Sequence, residues 1–187
     1  MKNIKSYLIT DPNYFSDNKE IFKEKLIAVL KNHKIDFACF RDKSSQNIEE
    51  LAKIFLQICK EFKIKNILIN SNISLAIKLG FDGVHLNSQQ FDKIENAKKS
   101  KLITIISCHN LEELDKAMNK NIDFVTYSPI FDTPNKGQSK GVDKLNEVIE
   151  KFPNLKIFAL GGIIQNEQIK EIEKTKAYGF ASIRYFI

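Results

Sequence analysis

The chain has 187 residues, 43% of them apolar and 28% charged, which suits one globular domain with a sizeable core. Its formal net charge is +6, yet the lysines are scattered through amphipathic segments and make no basic block interleaved with aromatics, which argues against nucleic-acid binding. No run approaches the ~20 apolar residues of a membrane span, and no amino-terminal stretch resembles a signal peptide, so the expectation is a cytoplasmic protein without a membrane partner.

The elements alternate from the start. Residues 6–10 form a β-branched and aromatic run stopped by Asp11-Pro12, a strand followed by a turn. Residues 20–32 carry apolar side chains at helical period. Residues 37–41 read as a second strand, and a polar turn leads to a helix over 46–62, with Ser44 or Ser45 as its cap. The pattern repeats with strands at 66–70 and 83–86 around a short helix at 73–79, then a weak helix at 91–99. A strand at 102–107 precedes a helix at 111–119 for which Asn110 is the cap. The sixth strand begins at Phe124, the sixth helix spans 142–151, the seventh strand 156–160, the seventh helix 167–174 and the eighth strand 179–183.

Eight strands alternating with helices, without room for hairpins, predict parallel pairing and a closed (β/α)8 barrel over residues 1–187 as a single domain. The chain ends four residues after the eighth strand, so the last outer helix is missing or reduced. An exposed groove there would favour a homo-oligomer that covers it.

In such barrels the strand C-termini and the following loops build the active site. Here they supply Asp11, Arg41, Lys43, Asn70, Asn87, Ser107, His109, Ser128, Thr133, Lys136, Gly161-Gly162 and Arg184. This cationic mouth, rich in hydroxyls and amides, suits an anionic ligand. The loop within 124–141, with its Thr, Asn, Lys, Gly and Ser residues, suits a phosphate, although a plain solvated loop has the same composition. Arginine is used at only two positions, Arg41 and Arg184, both at the end of an apolar run, where a rigid fork for an anion has its use. His109 follows a strand directly and is the best-placed acid/base candidate; a capping or core histidine is the alternative. His85, inside a strand, reads as structural, and His33, at a helix end, as solvated. Cys39, Cys59 and Cys108 are odd in number, lack metal-ligand spacing and read as reduced thiols.

These motifs, in order, resemble the thiamine phosphate synthase/TenI superfamily of (β/α)8 barrels. The carriers are Tyr7 to Asp11, Arg41 to Lys43, Ile69-Asn70, Phe81 to Leu86, Ser107 to His109, Ser128 to Thr133 with Lys136, Gly161 to Ile163, and Gly179 to Ile183. The resemblance implies one of two activities. A synthase joins a pyrimidine pyrophosphate to a thiazole phosphate and uses magnesium. A TenI-like tautomerase aromatises the thiazole phosphate carboxylate by moving a proton, without a metal. It also implies that Arg41, Lys43, Asn70, Ser107, Thr133 and Lys136 contact phosphate groups, that His109 is the tautomerase acid/base, and that Gly162, Ile183 and Arg184 fall at the thiazole-phosphate site.

The departures select between the two. Where a synthase has an Asn-Asp pair, this chain has Asn70-Ser71, and where the second acidic metal ligand is expected it has Asn87-Ser88-Gln89-Gln90. A glutamine before the strand-two arginine is Cys39 here. Serine and glutamine are poor ligands for a hard divalent cation. The expectation is therefore a tautomerase with no cofactor and a small phosphorylated thiazole as substrate. A magnesium-dependent synthase is the alternative, and a barrel that binds a precursor without turning it over is the second. Arg184 stands where the superfamily usually has a small serine, which favours that last reading.

Overall fold

The computed structural model describes residues 4–134 and 136–187; Asn135, within the 124–141 stretch, lies outside them. Eight strands close into one barrel in sequence order: β1 Lys5–Ile9, β2 Phe37–Phe40, β3 Asn66–Asn70, β4 Gly83–Leu86, β5 Ile103–Cys108, β6 Phe124–Tyr127, β7 Ile157–Leu160 and β8 Gly179–Ser182. Every neighbouring pair is parallel, and β1 closes on β8 with Tyr7 opposite Ala181. The connecting helices are α1 Pro12–Phe15, α2 Lys19–Asn32, α3 Ile48–Glu61, α4 Ile73–Leu79, α5 Ile94–Lys99, α6 Leu111–Asn119, α7 Gly141–Lys151 and α8 Asn166–Glu173. Among the described residues no helix is long and apolar enough to cross a membrane.

The strands are apolar on both faces because both faces are buried. Leu8, Ala38, Ile67, Ile69, Val84, Ile106 and Val125 belong to the outer core beneath the helices. Their neighbours Tyr7, Ile9, Phe37, Cys39, Leu68, Ile105, Phe158 and Ala181 fill the lumen. The amino-terminal end of the lumen is closed by aromatic rings: Phe37 lies 5.1 Å from Phe158 and 5.2 Å from Phe124, and Tyr178 packs 5.2 Å from both Phe124 and Phe158. Of these, Phe37 and Phe158 are buried, each contributing roughly 1.5–3 kcal/mol. With that end sealed, polar groups of the lumen can meet solvent only at the carboxyl end of the strands.

Helix starts follow the capping rules, with two departures from the sequence reading. Asn18 accepts from Glu20 N and Ile21 N to begin α2, and Asn110 accepts from Glu113 N at 2.8 Å to begin α6. Ser44 and Ser45 do not cap α3. Asp42 takes both of their amides, and the helix starts behind Asn47 without a side-chain cap. The weak helix at 91–99 opens as a 3-10 turn, Phe91–Lys93, because the Gln90 side chain is spent on Asn87 N and Ser71 O.

The last outer helix is reduced to a 3-10 turn, Arg184–Phe186. It nonetheless covers β8. The Phe186 ring lies 5.8 Å from Phe180 and 5.4 Å from His33, and Phe180, Ser182 and Phe186 are buried. All four residues of β8 are buried. His33, at the end of α2, is half-buried: Tyr185 and Phe186 pack on it, and the burial lowers its pKa.

Candidate active site

The alternation that fills the lumen carries on into the mouth. Stepping two residues beyond the last lumen-facing position of each strand reaches Asp11, Arg41, Asn70, Asn87, Ser107 and His109, Ser128, Gly162 and Ile183. Shared parity thus brings the polar positions of distant segments to one end of one barrel.

Arg41 leaves β2 with its backbone tied to Thr10, whose hydroxyl accepts from Arg41 N at 2.9 Å. Its guanidinium Nη1 donates to Asp11 Oδ2, and both side chains are partly buried. Asp11 also caps α1 by accepting from Asn13 N. Arg41 therefore shares its charge with a partner already present. Lys43 is exposed on the turn that Asp42 organises.

Between β3 and β4 the mouth is built of amides and hydroxyls bound to one another. Asn70 Nδ2 donates to His85 O at 3.1 Å and Ser71 Oγ to Asn70 Oδ1 at 3.3 Å. Asn87 Nδ2 donates to Ser71 Oγ, and Gln90 Nε2 donates to Ser71 O. The two nearby carboxylates are engaged, Asp11 by Arg41 and Asp42 by Ser44 and Ser45. Among the described residues no three His, Cys, Asp or Glu side chains come together. This donor set does not suit the hard divalent cation that synthases use.

Inside the lumen lies a polar chain built on His85, the buried strand histidine that the sequence reading took as structural. Tyr7 Oη is 2.9 Å from His85 Nδ1, and His85 Nε2 is 3.0 Å from Ser107 Oγ. Thr126 Oγ1 donates to Ser107 Oγ at 3.4 Å. Burial, helped by the nearby Arg41 charge, lowers the His85 pKa to about 4, and burial raises Tyr7 well above the ordinary phenol. Cys39 is wholly buried beside Tyr7, its thiol pushed up to about 12 by the same desolvation, so it fills the lumen as a neutral group.

The depressed histidine has a consequence for stability. Above its ordinary pKa of 6.5 the imidazole is neutral in both states; between 6.5 and about 4 the unfolded chain binds a proton that the folded chain refuses. Stability should therefore fall as pH drops through that window, by about 3 kcal/mol in full. Denaturant titrations at pH 7 and pH 4.5 should show this loss in the wild type and a clearly smaller one in His85→Leu. Equal slopes in the two proteins would contradict it.

His109 follows β5 at the start of α6. Asn110 caps that helix and Glu113 reaches back to accept from His109 N, a reciprocal arrangement that fixes the backbone. The ring is held by its Nδ1, 3.1 Å from Ser128 Oγ and 3.2 Å from Ser128 O. A carbonyl can only accept, so the contact with Ser128 O fits an Nδ1–H donor, while Ser128 Oγ can donate or accept; with the proton on Nδ1, Nε2 keeps its lone pair at this exposed residue.

After β6, Thr133 Oγ1 donates to Phe131 O at 3.1 Å, and Lys136 is exposed on the same loop, its amide bonded to Thr133 O. Phe131 N donates to Gly161 O, which clamps this loop to the end of β7. Gly162 has φ +70, and a Cβ there would lie 2.5 Å from both Asp132 O and Phe131 O. The sequence offered the glycine pair as room for a phosphate; the close pass of the β6 loop requires its second member on packing grounds alone. Ile183 and Arg184 are half-buried where β8 turns into the closing 3-10 element, and no ion pair or hydrogen bond engages the Arg184 guanidinium among the described residues. The groups that sequence reading underweighted, Asp11, Tyr7, His85 and Ser128, are partners of the chosen residues, and strand parity was the signal that could have found Tyr7 and His85.

A family model described as thiamine monophosphate synthase matches residues 6–186. A protein of Aquifex aeolicus named "Putative thiamine-phosphate synthase 2" is 36% identical over 97% of this chain and 96% of its own length. A thiamine-phosphate synthase of Pelagibacter ubique is 35% identical over 84% of this chain and 76% of its own. Among solved structures, a thiamine phosphate pyrophosphorylase from Pyrococcus furiosus superposes with a TM-score of 0.82 at 25% identity, covering 96% of this chain and 85% of that one.

Proposed function

The chain belongs to the thiamine monophosphate synthase/TenI family, and from that premise we propose that it is an enzyme of thiamine biosynthesis that acts as a metal-independent thiazole tautomerase. The observation that carries this reading is the donor set between β3 and β4. Ser71, Asn87 and Gln90 hold one another by hydrogen bonds where a pyrophosphate-releasing enzyme needs carboxylates for its cation.

A tautomerisation takes a proton from one carbon and returns one to another while the electrons between them rearrange, here into an aromatic ring. No phosphate bond breaks and nothing is oxidised. That step asks for one base with a free lone pair and for anchors that hold the anion still. His109, with Nδ1 on Ser128 and no partner for Nε2 among the described residues, supplies the first. Arg184, the Gly162 amide and the loop bearing Thr133 and Lys136 would grip the phosphate. Lys43 and the open side of the Arg41 fork would hold the carboxylate, with Asn70 and Ser107 on the wall between them.

The names of the relatives favour a second reading, the synthase. One experiment separates the two. Aromatisation of the thiazole phosphate carboxylate, followed by ultraviolet absorbance, should proceed at the same rate with a chelator as with added magnesium. The synthase reading wins if that substrate is untouched and pyrophosphate is released from the pyrimidine substrate only with magnesium.

A further inference from the structure

The buried chain from Tyr7 to Ser107 ends at the mouth, and the tautomerase chemistry does not use it. Its direction can be read from the chemistry of its members. A phenol is a strong neutral donor and an imidazole nitrogen a strong acceptor, so Tyr7 Oη donates to His85 Nδ1 across 2.9 Å. The opposite sense would turn the phenol hydrogen towards Cys39, whose sulfur is a weak acceptor. His85 must then carry its hydrogen on Nε2, which lies 3.0 Å from Ser107 Oγ. Ser107 Oγ also accepts from Thr126 Oγ1 at 3.4 Å. With both lone pairs directed at buried donors, its own hydrogen is left for the mouth, to which Ser107 is partly exposed.

We propose that His85 is a positioning residue: through Nε2–H it fixes the Ser107 hydroxyl so that Ser107 donates a hydrogen bond to an anionic oxygen of the bound ligand. The inference rests on the mouth being the ligand site, as in the proposed function. It does not need that function to be tautomerisation, because carboxylate, phosphate and pyrophosphate oxygens all accept such a bond. A proton relay along the same chain is disfavoured on energetic grounds. It would leave a phenolate at Tyr7, where burial holds the group protonated, or an imidazolium at His85, where burial and Arg41 hold it neutral. The chain is a fixed dipole and not a wire.

The test uses the full chain and two probes, the thiazole phosphate carboxylate and inorganic pyrophosphate, with Kd measured by calorimetry. Nitrogen-15 spectra of the free protein should show His85 neutral with its proton on Nε2. His85→Leu should weaken at least one probe about tenfold, the scale of a charged-acceptor hydrogen bond lost or misdirected. In a Ser107→Ala background the same change should cost nothing further. His85→Gln, whose side-chain N–H reaches the Nε2 position, should keep most of the affinity. Tyr7→Phe provides an arm that leaves His85 in place: without the phenol donor His85 should populate the other tautomer, and affinity should fall only while Ser107 is present.

A wild-type His85 protonated on Nδ1 overturns the proposal, as do independent losses in the double variant or unchanged affinity for both probes. If the wild type binds but does not aromatise the thiazole, the tautomerase reading fails. The tautomer and the pyrophosphate arm still decide the role of His85.

Discussion

Replacing His109 with alanine is expected to lower the rate of thiazole aromatisation by roughly 100- to 10,000-fold, the usual share of a positioned acid/base. The size follows from how little else in the mouth can do the work. Lys43 and Lys136 are exposed ammonium groups, Cys39 is a buried neutral thiol, and Asp11 is committed to Arg41. The fold should not notice the change. His109 is exposed, and among the described residues its ring bonds to Ser128 alone, so Tm should stay with the wild type. The measurement is the absorbance change of the thiazole phosphate carboxylate under single-turnover conditions, beside a thermal melt. Comparable rates for the two proteins would remove His109 from the chemistry. A collapse of rate and Tm together would make the residue structural.

A second large effect is expected at Gly162, where the site and the fold make competing claims on the same atom. Alanine there would place a Cβ 2.5 Å from the backbone of Phe131 and Asp132 and hold an L side chain at φ +70. The left-handed backbone costs about 1–2 kcal/mol and forced overpacking about 1–3 more. A destabilisation of about 3 kcal/mol should therefore appear in denaturant titration. Gly80 is the control. Its φ is +77, but no atom lies within 4 Å of its Cβ position, so Gly80→Ala should lose only the backbone share. Because the β6 loop would have to move to relieve the clash, ligand affinity should fall with stability at Gly162 and stay unchanged at Gly80. A stable Gly162→Ala protein with full affinity would show that the loop yields easily and that its clamp on β7 is loose.

Much of this molecule was legible one residue at a time. The outer helices appear in the apolar stripes, such as Leu51, Phe55 and Ile58 of α3, and Asn110 announces α6. The strand-to-strand alternation of Tyr7-Leu8-Ile9 or Phe37-Ala38-Cys39 separates lumen from outer core as soon as a barrel is assumed. Misreadings fell where a side chain had two possible partners close together in sequence. Ser44 and Ser45 are good caps by type, but Asp42, two residues earlier, outcompetes them with a charged acceptor for both amides. Gln90 looks like an ordinary loop residue and instead ties β4 to Ser71.

The barrel was legible in local patterns alone. Strand, helix and cap signals act over a few residues, and the two-residue period of a strand places alternate side chains in the lumen without reference to anything distant. What the groups at the mouth are free to do depends on contacts between distant segments. Arg41 shares its charge with Asp11 across 30 residues, His85 is held neutral against Tyr7 across 78, and the His109 ring meets Ser128 across 19. Charge, protonation and hydrogen-bond direction depend on which atoms meet and how much water is left between them. No local pattern carries that information, and closing the barrel supplies it.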